Sequence, residues 1–253
     1  MPRSWTSATT KMNSEYRRSP VRSKDSKSSV AALVKSQRLP GEMLEAMALR
    51  LGVSRIIEER LSFDGGVFRL PSNELIIKLN ATSPRTRKRF TLAHEIGHLL
   101  LGEIGLRSSC GYNRELERRC DAIASELLMP AGEAVEYVRG LGKPSPEKLK
   151  LIAAKYSVSV QVAAIRVHGD LGLWKCCIGC WEHRPQIKTM WFVGQRRWDR
   201  VQPDSYSLER ALSSEAAVQS EELWPRGPEM RPVWLNLLRD GSSRVLGLVH
   251  FVN

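Results

Sequence analysis

The sequence predicts an α+β protein in two parts: a mainly helical domain carrying a small antiparallel sheet, then an α+β C-terminal accessory region. Three observations predict it. Short β-rich runs separated by turn residues cluster in 53–79, periodic apolar helices fill 87–167, and a tryptophan-rich stretch of alternating strands follows from Trp174. A chain of 253 residues, 42% of them hydrophobic, with a mean hydropathy of −0.30, is long enough for one or two cores. The expected divisions are a disordered basic tail over 1–29, the helical domain over 30–170 and the accessory region over 171–253.

Charge is unevenly placed. Of the net +12, residues 1–40 hold nine Lys/Arg against two Asp/Glu, a local +7, and residues 1–29 carry eleven Ser/Thr and no aliphatic run. Such a segment buries too little apolar area to offset its ordering entropy. A solubilising extension is the plain reading; a nucleic-acid contact or an organellar transit peptide are the functional ones. No stretch approaches the roughly 18 to 20 apolar residues of a membrane-spanning helix, and no secretory apolar region opens the chain, so the expectation is a cytoplasmic protein without membrane partners. Five cysteines, three of them at Cys176, Cys177 and Cys180, do not resemble a secreted disulfide framework.

The elements follow in order. Helices are expected over 29–36 and 40–51, the second opened by Pro40 and closed by Gly52. Strands over 53–63, 66–70 and 74–79 are divided by Asp64-Gly65-Gly66 and Pro71-Ser72-Asn73. A helix over 87–102 is apolar on most sides, and one over 114–128 takes Asn113 as its cap and Pro130 as its stop. Another begins near Gly132. A helix pair over 144–156 and 159–167 turns at Ser157-Val158, and the C-terminal region reads as short strands, among them 188–193 and 244–252, with a helix near 207–220.

The buried helix contains three polar side chains that need a reason: His94, Glu95 and His98. At 3.6 residues per turn the two histidines stack on one face, so both imidazoles can reach a single Zn²⁺, while Glu95 can serve as a general base to a water there. Packed core histidines with a hydrogen-bonded glutamate are the plain alternative. A catalytic zinc takes three protein ligands, and the next helix offers Glu117 and Asp121, four apart on one face. The favoured arrangement makes Glu117 the third ligand and Asp121 the partner that orients a ligand histidine. The alternative leaves Glu117 serving the helix dipole and Asp121 solvated.

Two segments, Arg89-Phe90-Thr91-Leu92-Ala93-His94-Glu95-Ile96-Gly97-His98-Leu99-Leu100 and the run from Glu117-Arg118-Arg119-Cys120-Asp121 to Leu127-Leu128-Met129-Pro130, together resemble the ImmA/IrrE-type zinc metallopeptidases. The resemblance extends loosely over 30–170. It departs mildly at Asp121, where the family usually has Asn, and at Ile123, where it usually has Phe. It implies a mainly helical, zincin-like metallopeptidase domain with one Zn²⁺ per chain, held by His94, His98 and Glu117 with Glu95 catalytic. It also implies a selective regulatory protease whose protein substrate is a DNA-binding repressor, cleaved in a stress or mobile-element response.

Peptide hydrolysis also needs a donor to the developing oxyanion, and Arg89, Tyr112, Tyr137 and His168 are the candidates. Two rival readings stand beside the enzyme. One is a DNA-binding or partner-binding regulator without hydrolytic activity, using the helix pair over 144–167 and the basic tail; its second helix, however, offers only Gln161 and Arg166 to read bases or phosphates. The other is a metal or redox sensor on the Cys177-Ile178-Gly179-Cys180 motif, which has no second such pair and reads first as buried thiols beside Trp174 and Trp181.

Overall fold

A computed structural model describes residues 24–39, 41–102, 113–194, 201–226 and 229–251. Among them the chain divides into two compact units, up to Ala131 and from Gly132 onward.

The first unit opens with α1 (Lys24–Gln37), so the helix begins inside the stretch expected to be tail; residues 1–23 lie outside those described. Then come α2 (Leu44–Arg50), β1 (Val53–Glu59), β2 (Gly65–Arg69), β3 (Leu75–Asn80), α3 (Arg85–Leu100) and α4 (Arg114–Leu128). The α2 helix is shorter than expected because Met43, not Pro40, occupies its cap position; Pro40 lies outside the described residues. The sheet is mixed, which corrects the antiparallel expectation. Its order is β1-β3-β2, with β3 parallel to β1 and antiparallel to β2. The physical reason is burial: Leu75, Ile76, Ile77 and Leu79 make β3 the most apolar strand, and the central place covers it on both edges. The Asp64-Gly65-Gly66 turn therefore does not join two paired neighbours. It starts a strand at the far edge, and the Leu70–Glu74 turn closes the β2–β3 hairpin, Leu70 N–H donating to Glu74 O at 2.8 Å. Helix α3 packs on β2 and β3, and α4 packs on α3 and α1, where Arg38 Nη1 donates to Leu127 O at 2.9 Å.

The second unit contains α5 (Ala131–Gly140), α6 (Pro146–Tyr156), α7 (Val160–Ala164) continuing as a wider π-helical turn over Ile165–Asp170, β4 (Cys177–His183), β5 (Ile187–Val193), α8 (Ser205–Leu212), β6 (Val218–Arg226), β7 (Glu229–Arg239) and β8 (Arg244–Phe251). Its sheet runs β5-β4-β8-β7-β6, antiparallel throughout. Helix α8 covers one face, burying Leu208 and Ala211 against Trp181, Trp224, Val233, Leu235 and Leu237. Helix α6 packs against β7 and β8, so a helix that the sequence groups with the first domain shares the second unit's core. It is positioned there by its Ser145 cap, Pro146 in its first turn, and an ion pair from Lys150 to Asp240 at 3.1 Å.

The helix pair does not present a DNA-reading helix. Ser157, at φ 51°, makes the left-handed stop between α6 and α7, but α7 has only five residues. Ala163, Ala164 and Val167 are fully buried, and Arg166 is nearly so with Asp170 at 3.5 Å.

The cysteine motif lies on β4, paired residue for residue with β8 from Cys177↔Val249 to Cys180↔Leu246. Three residues apart on a regular strand, Cys177 and Cys180 point to opposite faces and cannot share one ion. Burial pushes the Cys176 and Cys180 thiols up to about 12. Both should therefore resist iodoacetamide at pH 8 in the native chain and react fully in denaturant; mass spectrometry that finds native Cys180 alkylated as fast as unfolded chain would refute the packing role.

Candidate metal centre

The site is assembled from α3 and α4. The α3 helix starts after Pro84, whose fixed φ of −54° suits the position, and buries Phe90, Leu92, Ala93 and Ile96 together with Glu95 and His98. Gly97 is the exception in this apolar helix, since glycine costs roughly 1 kcal/mol against alanine there. Packing explains it: a Cβ at 97 would lie 3.0 Å from Cys120 Cα, so the two helices cross nearly backbone to backbone. The α4 helix is capped by Asn113, whose Oδ1 accepts from the backbone N–H of Glu115 and of Leu116 at 3.1 and 3.2 Å. Its inner stripe buries Cys120, Ile123, Ala124, Leu127 and Leu128.

That crossing brings the expected residues together. His94 Nε2 lies 3.2 Å from His98 Nε2 and 3.2 Å from Glu117 Oε2, while His98 Nε2 lies 3.7 Å from Glu117 Oε1. Donors about 2.0 to 2.2 Å from a tetrahedral zinc are roughly 3.3 to 3.6 Å apart, so the three groups fit one face of such a site. Asp121 Oδ1 sits 2.9 Å from His94 Nδ1. With the proton on Nδ1 donated to Asp121, the Nε2 lone pair faces the other two donors. Glu95 is 1% exposed, and its Oε2 accepts from the Val67 backbone N–H at 2.9 Å. The edge strand β2 thus holds the carboxylate that adjoins the first histidine.

The electrostatics suit a cation. Burial pulls the His94 imidazolium down, but hydrogen bonds to Asp121 and Glu117 and the charges of Asp121 and Glu95 outweigh it and push His94 up to about 10. Below about pH 6.5 this gain is fully present in metal-free chain, and it is lost as the pH rises through about 10. Chelator-treated protein should accordingly lose thermal stability between pH 6.5 and 10, and His94→Gln should remove that part of the slope. Identical slopes in the two proteins would exclude His94 as the titrating group.

Two contributors escaped the sequence reading. Cys120 counted only as part of the apolar stripe, yet its Sγ and one ligand atom from each of His94 and His98 lie within 4.8 Å of one another. Its place between Glu117 and Asp121 on α4 was the available signal. Glu117 approaches the imidazoles more closely than that limit and is partly open to solvent, with 20% of its side chain exposed, which lets it also serve as a third donor. The Val67 amide had no signal, because backbone contacts across 28 residues leave no local pattern.

Of the candidate oxyanion donors, Arg89 lies on α3 with its Nε buried and lacking a hydrogen-bond partner. Tyr112 lies outside the described residues. Tyr137 and His168 belong to the second unit, where Tyr137 stands edge-on to Tyr156 and His168 Nδ1 lies 2.9 Å from Trp174 O.

Residues 48–168 match the Peptidase_M78 family model, described as an IrrE N-terminal-like domain. Over this stretch, just under half of its length, the chain resembles the ImmA/IrrE-type metallopeptidases. The IrrE-like segment is also similar to the radiation response metalloprotease IrrE of Deinococcus radiodurans, 35% identical over 96 residues. That match covers 35% of this chain and 29% of the relative, so it spans less than a third of the relative's length. Around the IrrE-like segment, the whole fold resembles a Mycobacterium tuberculosis transcriptional regulator at a TM-score of 0.55 and 12% identity, over 91% of this chain and 89% of the other. Among the described residues no helix is long and apolar enough to cross a membrane.

Proposed function

We propose that the chain is a zinc-dependent endopeptidase with a zincin-like site, in which His94, His98 and Glu117 hold one Zn²⁺, Glu95 is the general base and Asp121 orients His94. The observation that carries this reading is the convergence of His94 Nε2, His98 Nε2 and the Glu117 carboxylate at 3.2 to 3.7 Å beside a buried Glu95. When bound, the ion supplies Lewis acidity, making a water easier to deprotonate and a peptide carbonyl easier to attack. The chain's own residues do the rest. Asp121 fixes the His94 ring by accepting its Nδ1 proton, Glu95 takes a proton from the attacking water and returns it to the leaving amine, and the Val67 amide keeps that carboxylate in place. The substrate proposed is a DNA-binding transcriptional repressor, cleaved as part of a stress or mobile-element response in the cytoplasm.

Elemental analysis of metal-replete chain, with the Glu117→Ala variant beside it, tests the site. One zinc per wild-type chain is expected, with affinity reduced at least about 100-fold in the variant, since even residues behind a ligand typically cost 10- to 100-fold. Wild-type chain that holds no zinc, or a variant that holds it equally well, would end this assignment.

A further inference from the structure

The donors at the crossing of α3 and α4 number more than three. Cys120 lies one turn beyond Glu117 on the same helix, fully buried and in no disulfide, with its Sγ and one ligand atom of each histidine within 4.8 Å of one another. The absent Cβ at Gly97 lets the Cys120 backbone approach the turn that carries His98, so no side chain of residue 97 intervenes. Zinc accepts sulfur as readily as imidazole, and a nitrogen at about 2.0 Å and a sulfur at about 2.3 Å on a tetrahedral ion stand roughly 3.5 Å apart. From its outer limit the sulfur needs to close by little more than an ångström.

We propose that Cys120 is a fourth protein donor to a cation held by His94, His98 and Glu117, so that the resting site is closed by sulfur and opens only when the sulfur withdraws. The inference rests on the metal-site reading above and adds its regulation. Coordination forms one metal–sulfur bond and releases the thiol proton to solvent; no oxidant or reductant takes part. A buried thiolate is untenable beside carboxylates alone, and the dication supplies the counter-charge that makes it stable. Four protein donors describe a structural site and three an open, catalytic one, so the position of one sulfur separates the two forms.

The test is cobalt(II) titrated into the metal-stripped full chain, compared with Cys120→Ala, Cys120→Ser and Cys110→Ala, and zinc-edge X-ray absorption of the wild type. Expected are one cobalt per chain with a thiolate-to-cobalt charge-transfer band, loss of that band in both Cys120 variants, its survival in Cys110→Ala, and a sulfur neighbour at about 2.3 Å from zinc. Cobalt affinity should fall at least tenfold in Cys120→Ser, which keeps the side chain's size if the alanine variant fails to fold. Cobalt bound without the band, a band that persists without Cys120, or affinity unchanged in Cys120→Ser overturns the inference and leaves the three-donor site standing. A folded chain that binds no cobalt overturns the metal-site reading itself.

Discussion

Glu95→Gln should lower the rate of peptide-bond hydrolysis by the zinc-loaded chain by about a hundredfold to ten-thousandfold, the range that a positioned general base contributes. The structure limits what else the substitution can disturb. Glu95 is buried and takes the Val67 N–H through Oε2, and a glutamine of the same length can keep that bond through its carbonyl oxygen. The donors His94, His98 and Glu117 are left in place, so metal content should be unchanged. What disappears is the capacity to accept a proton. The variant should thus hold substrate without cutting it, and affinity capture from stressed cells should recover a DNA-binding protein that the Glu117→Ala variant does not hold. A Glu95→Gln protein that retains more than about a tenth of wild-type turnover would remove Glu95 from the mechanism, whatever the substrate proves to be.

The second large effect is on stability. Trp181→Ala should destabilise the second unit by about 3 to 5 kcal/mol, the usual cost of removing a fully buried large aromatic side chain. That is a large share of the roughly 5 to 15 kcal/mol available to a domain. The indole lies at the centre of the inner face of β4, with Gly179 and Gly247 beneath it. A Cβ at Gly179 would come within 2.5 Å of the ring, and one at Gly247 within 2.8 Å of it and 2.6 Å of Leu237. Ring and glycines form one packing unit, so Gly179→Ala and Gly247→Ala should destabilise in the same direction by displacing the indole. Urea unfolding followed by far-UV circular dichroism reads all three. A midpoint for Trp181→Ala within experimental error of wild type would mean that the β4–α8 core is not where the unit's stability resides.

The candidate site was more legible in the sequence than the sheets. His94, Glu95 and His98 stood out as a His-Glu-x-x-His motif of polar side chains in an apolar helix, and Glu117 and Asp121 as carboxylates sharing one face of the next; their meeting follows from an apolar stripe on each helix. Local spacing could not reveal that β3 would insert between β1 and β2, because a strand's partner is chosen by burial across the whole unit. For the same reason the segment near 207–220 looked like one helix. The α8 helix ends at Leu212, and Val218 onward leaves it to become the edge strand β6 opposite β7. The cysteine motif misleads in the opposite sense, since spacing that suits a metal loop loses its meaning on a regular strand.

The backbone contact between Gly97 and Cys120 has a thermodynamic consequence. The histidines stand on one helix and the carboxylates on the other, so an ion gripped by both becomes a strut between them, and its binding free energy is at the same time helix-docking free energy. The melting temperature of the first unit then becomes a gauge of metal occupancy. Where the metal is scarce the two helices would lose part of what holds them together, so the same scarcity that would idle the proposed peptidase would also expose its first unit to unfolding.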